Sequence, residues 1–289
     1  MATGTSPVYG RGLSAGLLSA LSRIPCILPT LGARPLSPLD ERRLSSSSLW
    51  HLITDAFEMT GTRLGAGSPV RAVCISGLAI EAKIAQAAGF SVVIGAGDRD
   101  RTTALVARAA AQTDCLVSFG IAGGLAPELK AGTIVVSGEV VSEAHHWAIK
   151  PCAGRRLTQF ARSIGAVEGP VLGVGSILAT RTEKQLAWTA TRALAADLES
   201  EIVARAATAL GIPFIVLRSI ADTARRDLPA ASLVPLTVDG KPDLSKVLAA
   251  ILRRPFQVAG MIGLARETAI ALSALIAPAR ALRSLVATA

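Results

Sequence analysis

ALAADLESEIVARAATALGIPFIVLRSIAD (193–222) decides the fold. Ala193 to Asp197 reads as a short strand. Glu199 to Leu210 reads as a helix that stops at Gly211, a residue free to adopt the left-handed conformation that closes helices. Pro213 to Ile220 is rich in Val and Ile and reads as a buried parallel strand. A strand, a helix and a second strand in succession belong to the alternation of an α/β sheet. In such sheets ligands bind beyond the carboxyl ends of the strands. Two carboxylates stand there: Glu199 after the first strand and Asp222 after the second. Ile220 and Ala221 flank Asp222 with apolar surface, and desolvation of a carboxyl raises its pKa toward the range where it acts as an acid near neutrality. Each residue also has a plainer reading. Glu199 complements a helix dipole, and Asp222 is an N-cap or turn residue.

Outward from this unit the alternation continues. Strands are expected at Val70–Ser76, Phe90–Ile94, Cys115–Phe119, Gly132–Val141 and Val171–Val174, and helices at Ile80–Ala88, Arg101–Gln112 and Thr182–Thr191. The pattern implies a mostly parallel sheet covered on both faces. Gly120-Ile121-Ala122-Gly123-Gly124 is read as a loop opening after a buried strand, where glycines let a ligand approach the backbone. It has neither the dinucleotide nor the Walker spacing. Gly95 to Arg101 forms a second loop leading into a helix. Gly97, Arg99 and Arg101 there suit a phosphate, through backbone N–H groups and guanidinium forks; the alternative is a solvated turn with Asp98 and Asp100. His145 and His146 lie near Glu139 and Glu143, but adjacent histidines without a spaced third ligand do not make a metal site. No metal is expected.

Composition narrows the class. Of 289 residues 51% are hydrophobic, 18% charged and 3% aromatic, which excludes a disordered chain. The four cysteines, Cys26, Cys74, Cys115 and Cys152, lie too far apart for a metal motif or a disulfide scaffold. Mean hydropathy is +0.48, yet the longest charge-free stretch is Ile84 to Gly97, shorter than the roughly 20 apolar residues of a membrane span. A soluble, apolar fold is expected. The net charge is +9, and +5 of it lies in residues 241–289. Without aromatic interleaving or a recognition motif this is not a nucleic-acid signature. A basic, apolar C-terminal segment fits a membrane surface better. Leu244, Val247, Leu248, Ile251 and Leu252 recur at helical spacing, and Met261 to Ile276 forms a second apolar helix that either packs on the core or docks on lipid. Residues 1–69 are rich in Ser, Pro, Gly and Arg. They are read as a poorly ordered extension, resembling an organellar transit peptide or an over-extended start before Met59, with a short helix near Leu49 to Phe57.

Three segments resemble the nucleoside phosphorylase/nucleosidase superfamily: FGIAGGLAPELKAGTIVVS (119–137), the 193–222 stretch, and VCISGLAIEAKIA (73–85). The turn GLAIEAKIA, the stretch DTARRDLPAASLVPLTVDGKPDLSKVLAAILRRP and the apolar C-terminus are similar to hopanoid-associated phosphorylases. The resemblance implies a three-layer α/β/α sandwich around a central mixed sheet, formed by residues 70–289 with the helical segment 244–286 at its end. It implies cleavage of adenosylhopane with release of adenine, inorganic phosphate as co-substrate, no other cofactor, a cytoplasmic enzyme at or near the inner face of the membrane, and a homo-oligomer. Asp222 would protonate or hydrogen-bond purine N7, and Glu199 would bind the ribose hydroxyls. Gly120, Ile121, Ala122, Gly123, Ile177, Leu178 and Leu198 would line the nucleoside site, and His145 or Trp147 its entrance. Two departures stand out. The position of the family's water-activating Glu is Ala82, with Glu81 one residue earlier, which weighs against a hydrolytic, methylthioadenosine-type nucleosidase. The serine before the family's catalytic Asp is Ala221. A silent nucleoside-binding protein on the same fold is the third reading.

Overall fold

The structure is a computed structural model that describes residues 70–243, 245–246, 249–250 and 257–287. The expected N-terminal extension, the helix near Leu49 to Phe57 and the apolar positions Leu244 to Leu252 lie outside these residues.

Ten strands form one mixed sheet. β1 (Ala72–Ser76), α1 (Ala79–Ala87), β2 (Ser91–Ile94), α2 (Arg99–Ala110) and β3 (Cys115–Gly124) open the domain. β4 (Ile134–Ser137), β5 (Glu139–Val141), β6 (His146–Ala148), α3 (Pro151–Ser163), β7 (Val167–Glu168) and β8 (Val171–Gly173) follow. α4 (Arg181–Thr191), β9 (Ala195–Asp197), α5 (Ser200–Leu210) and β10 (Phe214–Asp222) complete the sheet, and α6 (Val258–Ala274) and α7 (Ile276–Ala287) end the chain. The order is β6-β5-β8-β9-β3-β10-β4-β7, with β1 also on β3 and β2 on β1. β3 runs parallel to β1 and β10, β10 is antiparallel to β4, and the end of β3 is antiparallel to β9.

Alternation along the central strands builds the two faces. Leu116 and Val216 pack with Val106 of α2 and Ile202, Val203 and Ala207 of α5. Val117 and Leu217 pack on the other face with Ala85 of α1, Leu157 and Phe160 of α3 and Ala279, Leu282 and Val286 of α7. All of these side chains are buried. The result is helix, sheet, helix in three layers.

Two expected elements differ. The strand read across Gly132–Val141 is two strands, β4 on β10 and β5 on β8. Ser137 Oγ accepts from Glu139 N at 2.9 Å and donates to Glu139 O at 2.7 Å, bending the chain at Gly138. A Cβ there would meet Ile149 Cδ1 at 2.4 Å. Gly120 to Gly124 is no loop: β3 runs through all five residues, paired to β10 as far as Gly123 and to β9 at its end. The glycines serve side-chain space within a strand.

By length and composition α6 and α7 together, Val258–Ala287, suffice to cross a membrane, at a mean hydropathy of 1.5. A charge-free run was too strict a criterion, because two or fewer charges within an apolar window leave its mean high. In this structure α7 is part of the core, and Leu275, Ala279 and Leu282 are fully buried.

Candidate active site

The carboxyl ends of β1, β3, β9 and β10 open into one cavity of about 280 Å³. Glu199 and Asp222 line it together, as do Ile121, Ala122, Gly123, Ile177, Leu178 and Leu198. Gly120 is not in the lining; it lies one residue back, over Glu81. Gly97 lines the cavity as well.

Two of the three carboxylates, Glu199 and Glu81, fit only because a glycine stands opposite each, and Asp222 lies in ordinary contact with a third glycine. A Cβ on Gly77 would lie 2.7 Å from Glu199 Oε1, one on Gly120 would lie 2.5 Å from the Glu81 carboxyl, and one on Gly123 would touch Asp222 at 3.4 Å. Gly120 also has φ +151°, outside the range other residues favour.

Glu199 is the residue before α5, but it does not cap the helix. Asp197 does so: its Oδ1 accepts from Glu199 N at 2.8 Å and Ser200 N at 2.7 Å, and its Oδ2 accepts from Ser200 Oγ at 2.5 Å. The dipole reading of Glu199 therefore passes to Asp197, and Glu199 is released to face Arg218. Arg218, buried in β10, donates from Nη2 to Glu199 Oε2 at 3.2 Å and to Ser118 Oγ at 2.6 Å. Its Nε lies 3.0 Å from Asp197 Oδ2 as an ion pair. Glu81, at the third position of α1, accepts from Leu78 N at 2.8 Å, Gly77 N at 3.1 Å and, across to β3, Ile121 N at 2.8 Å. One guanidinium thus faces three buried carboxyls. Burial raises the Glu199 pKa to about 7; Arg218 opposes the rise, while the Asp197 and Glu81 charges add to it. Burial likewise raises Glu81, against Arg218 and the three backbone donors.

Asp222 ends β10. Burial raises its pKa, and Lys184 opposes the rise. Lys184 of α4 is fully buried and donates from Nζ to Asp222 Oδ2, to Thr223 O at 3.1 Å and to Arg226 O at 3.0 Å.

The Gly97–Arg101 loop is differently occupied from the phosphate reading. Asp98 caps α2, accepting from Arg101 N at 2.9 Å, so an anion already sits at that helix N-terminus. Arg99 pairs with Glu201 at 2.7 Å, and exposed Arg101 donates to Val238 O at 2.5 Å. The gap between Gly97, Arg99 and Glu199 is about 10 Å³, the size of one water. His145 and Trp147 stack at 5.3 Å, and His146 pairs with Glu139 at 2.7 Å on the edge strand. Neither His145 nor Trp147 is in the cavity lining.

Leu228, Val234 and Leu236 of the segment after β10 and Leu264 of α6 add apolar lining to the cavity, beside Ser232 and Thr268. That segment is tied down by Ala79 N donating to Gly240 O at 3.0 Å and by the Arg226–Glu267 ion pair at 2.7 Å.

Arg218, Asp197 and Lys184 join the site without a role expected from the sequence. A lone arginine inside the apolar run FIVLRSIAD was a usable signal, since a charge in a central strand requires buried partners. Lys184 gave none: EKQLAW reads as an ordinary solvated helix face.

A sequence model of the phosphorylase superfamily matches residues 69–254. The 5′-methylthioadenosine/S-adenosylhomocysteine nucleosidase of Shewanella halifaxensis is 28% identical over 179 residues, covering 52% of this chain and 76% of that protein. Solved structures share the fold. A Helicobacter pylori nucleosidase mutant with 5′-methylthioadenosine in its active site superposes with TM-score 0.52 at 14% identity, covering 73% of this chain and 98% of that one. Helicobacter pylori futalosine hydrolase gives 0.52 at 15%, with 76% and 99% covered.

Proposed function

This chain belongs to the phosphorylase superfamily, and from that premise we propose that it cleaves the N-glycosidic bond of an adenine nucleoside bearing a large apolar 5′ substituent, adenosylhopane in the resemblance drawn from its sequence. The observation that carries this reading is the convergence of Asp222 and Glu199 on one cavity that is also lined by apolar side chains of α6 and of the segment after β10. Adenine leaves poorly as an anion, so the base must gain a proton as the C1′–N9 bond breaks. A buried carboxyl with a raised pKa is suited to supply it, and Asp222 is that carboxyl. Glu199 binds the ribose hydroxyls, and its negative charge, when ionised, favours the oxocarbenium character developing on the sugar. Ile121, Ala122 and Gly123 present backbone at close range, and Ile177, Leu178 and Leu198 pack on the nucleoside.

The group that accepts the ribosyl fragment has two readings. Phosphate is the acceptor implied by the resemblance to hopanoid-associated phosphorylases. Water is favoured by a specific observation: the cavity floor holds the carboxyls of Glu81, Glu199 and Asp197 around Arg218, and the nearby Arg99 and Lys184 are already paired with Glu201 and Asp222. A phosphate dianion meets repulsion there that water does not. Adenine release from adenosylhopane and from methylthioadenosine, each with and without phosphate, separates the readings. Release from adenosylhopane, falling at least 10³-fold in Asp222→Asn with the fold intact, is expected. Release only with phosphate assigns phosphorolysis, and release without it assigns hydrolysis. A folded wild type that releases adenine from neither substrate overturns the proposal in favour of a silent nucleoside-binding protein.

A lipid-borne substrate places the enzyme at a membrane surface. Support comes from the outer stripe of α6 and α7, where Val258, Ile262, Ile270 and Ile276 are exposed beside Arg266 and Arg280. Its acidic neighbour Glu267 is paired inward to Arg226. Apolar side chains flanked by cations match an anionic lipid surface, and α6 also lines the cavity through Leu264 and Thr268. In this reading the enzyme is cytoplasmic, peripheral to the membrane's inner face, and assembled as a homo-oligomer.

A further inference from the structure

Lys184 is the least expected side chain near the cavity. It sits on a mostly exposed helix whose Ala187 and Trp188 pack partly on the core, yet it is fully buried. A buried ammonium is costly unless all three of its N–H bonds find acceptors. They do: Asp222 Oδ2, Thr223 O and Arg226 O. Among the described residues no other side chain donates to Asp222; Ala221 has no donor, and Gly123 offers only space. Lys184 holds Oδ2, and the other oxygen, Oδ1, carries no hydrogen bond in a side chain that keeps 12% exposure and lines the cavity.

We infer that Lys184 is a positioning residue for Asp222: its ammonium fixes one carboxylate oxygen, turns the other into the cavity toward the base, and compensates the charge left after proton transfer. The inference rests on the reading of Asp222 as the acid. In the step, the Asp222 carboxyl O–H bond breaks and the proton passes to purine N7. The C1′–N9 electron pair moves into the base, and the carboxylate that remains lies against an ammonium that neither gains nor loses a proton. The two carbonyls that Lys184 also holds belong to the turn just after β10, so one side chain sets both the acid and the start of a segment that lines the cavity. The other charged groups facing Asp222 are Glu267 of α6, which disfavours its ionisation, and Arg226 of that turn, which favours it; they pair with each other.

The test compares wild type, Lys184→Met, Lys184→Arg and Asp222→Asn as full-length proteins. The first measurement is independent of turnover: a ¹³C NMR titration of the Asp222 carboxyl. Removing the ammonium removes what opposes burial, so the Asp222 pKa is expected to rise in Lys184→Met and to stay near wild type in Lys184→Arg. The second is adenine release from adenosylhopane across pH. In Lys184→Met, kcat is expected to fall roughly 10²-fold with KM within about threefold, and the alkaline limb, where the acid loses its proton, is expected to move to higher pH. Lys184→Arg recovers at least tenfold of the lost kcat. An unmoved Asp222 titration in a folded Lys184→Met overturns the inference, whatever the activity. So does unchanged kcat in Lys184→Met while Asp222→Asn is inactive, a result that leaves the acid assignment standing. Full activity in Asp222→Asn instead overturns the acid assignment itself.

Discussion

Glu199 has an unusual protonation balance. Its carboxyl titrates at about 7 in the folded chain, above its ordinary value of 4.5, because it is buried and shares Arg218 with two other carboxyls. Between those two values the folded state holds a proton that the unfolded state has released. Stability from this group is therefore greatest at low pH and declines as pH rises through about 7. The melting temperature is expected to fall between pH 5 and 8, and Glu199→Gln is expected to flatten that slope, since glutamine keeps the shape and cannot ionise. Burial raises Glu81 and Asp222 in the same sense, so they add to this slope and Glu199→Gln removes only the share of Glu199, while Asp114, Asp227 and Asp243 are held below the ordinary carboxylate range by their partners. A slope equally steep in the glutamine variant would remove Glu199 as its source. At this scale the sequence made Glu199 and Asp222 legible, because each stands at a strand's carboxyl end. It did not make Asp197 legible as the true cap of α5, because a cap two residues upstream and a charge in the first turn predict the same string.

At the scale of the element, β3 is where reading and structure part most usefully. Five residues containing three glycines look like a loop, since glycine lowers strand propensity. β3 continues through them because β10 and β9 supply hydrogen bonds on either side, and because the missing side chain at Gly120 makes room for Glu81. Gly120→Ala is expected to destabilise by about 3 kcal/mol or more, from a contact with the Glu81 carboxyl and a positive φ, which is roughly 6–12 °C in melting temperature for a domain of this size. Gly154→Ala is the control: nothing lies within 4 Å of its added Cβ, it lies inside helix α3, and alanine there is neutral or stabilises by a few tenths to about 1 kcal/mol. Equal melting temperatures for wild type and Gly120→Ala would mean that Glu81 has room to withdraw. The split of β4 from β5 was illegible for a related reason. The bend comes from Ser137 Oγ bonding to the backbone two residues on, a contact with no periodic signature.

At the scale of the molecule, the C-terminal helices serve two surfaces at once. Their inner side, through Leu275, Ala279, Leu282 and Val286, packs with Phe90, Val117 and Leu217. Their outer side presents exposed Ile262 and Ile270. Deleting residues 257–289 to test lipid contact would open the core, and that variant is expected to aggregate rather than to report on membranes. The discriminating variant is Ile262→Asp/Ile270→Asp in the full chain. Wild type is expected to float with vesicles containing an anionic phospholipid, and the double variant to stay in the soluble fraction with an unchanged melting temperature. Equal recovery of both proteins in the soluble fraction would remove the lipid surface from the proposal.

By itself the sequence determined the layering and the places where chemistry can happen. Apolar runs with helices between them must bury both sheet faces, and the ends of those runs are where polar groups escape burial. Those consequences follow from local periodicity, which is written along the chain. Only the tertiary structure decided which polar groups meet. Residues 81, 184, 197, 199, 218 and 222 come from α1, α4, β9, the residue before α5 and β10, and the sheet order that gathers them is a long-range property. The pairing of Lys184 with Asp222 and the sharing of Arg218 by three carboxyls are set by distance and desolvation between segments, and no spacing in the sequence encodes either.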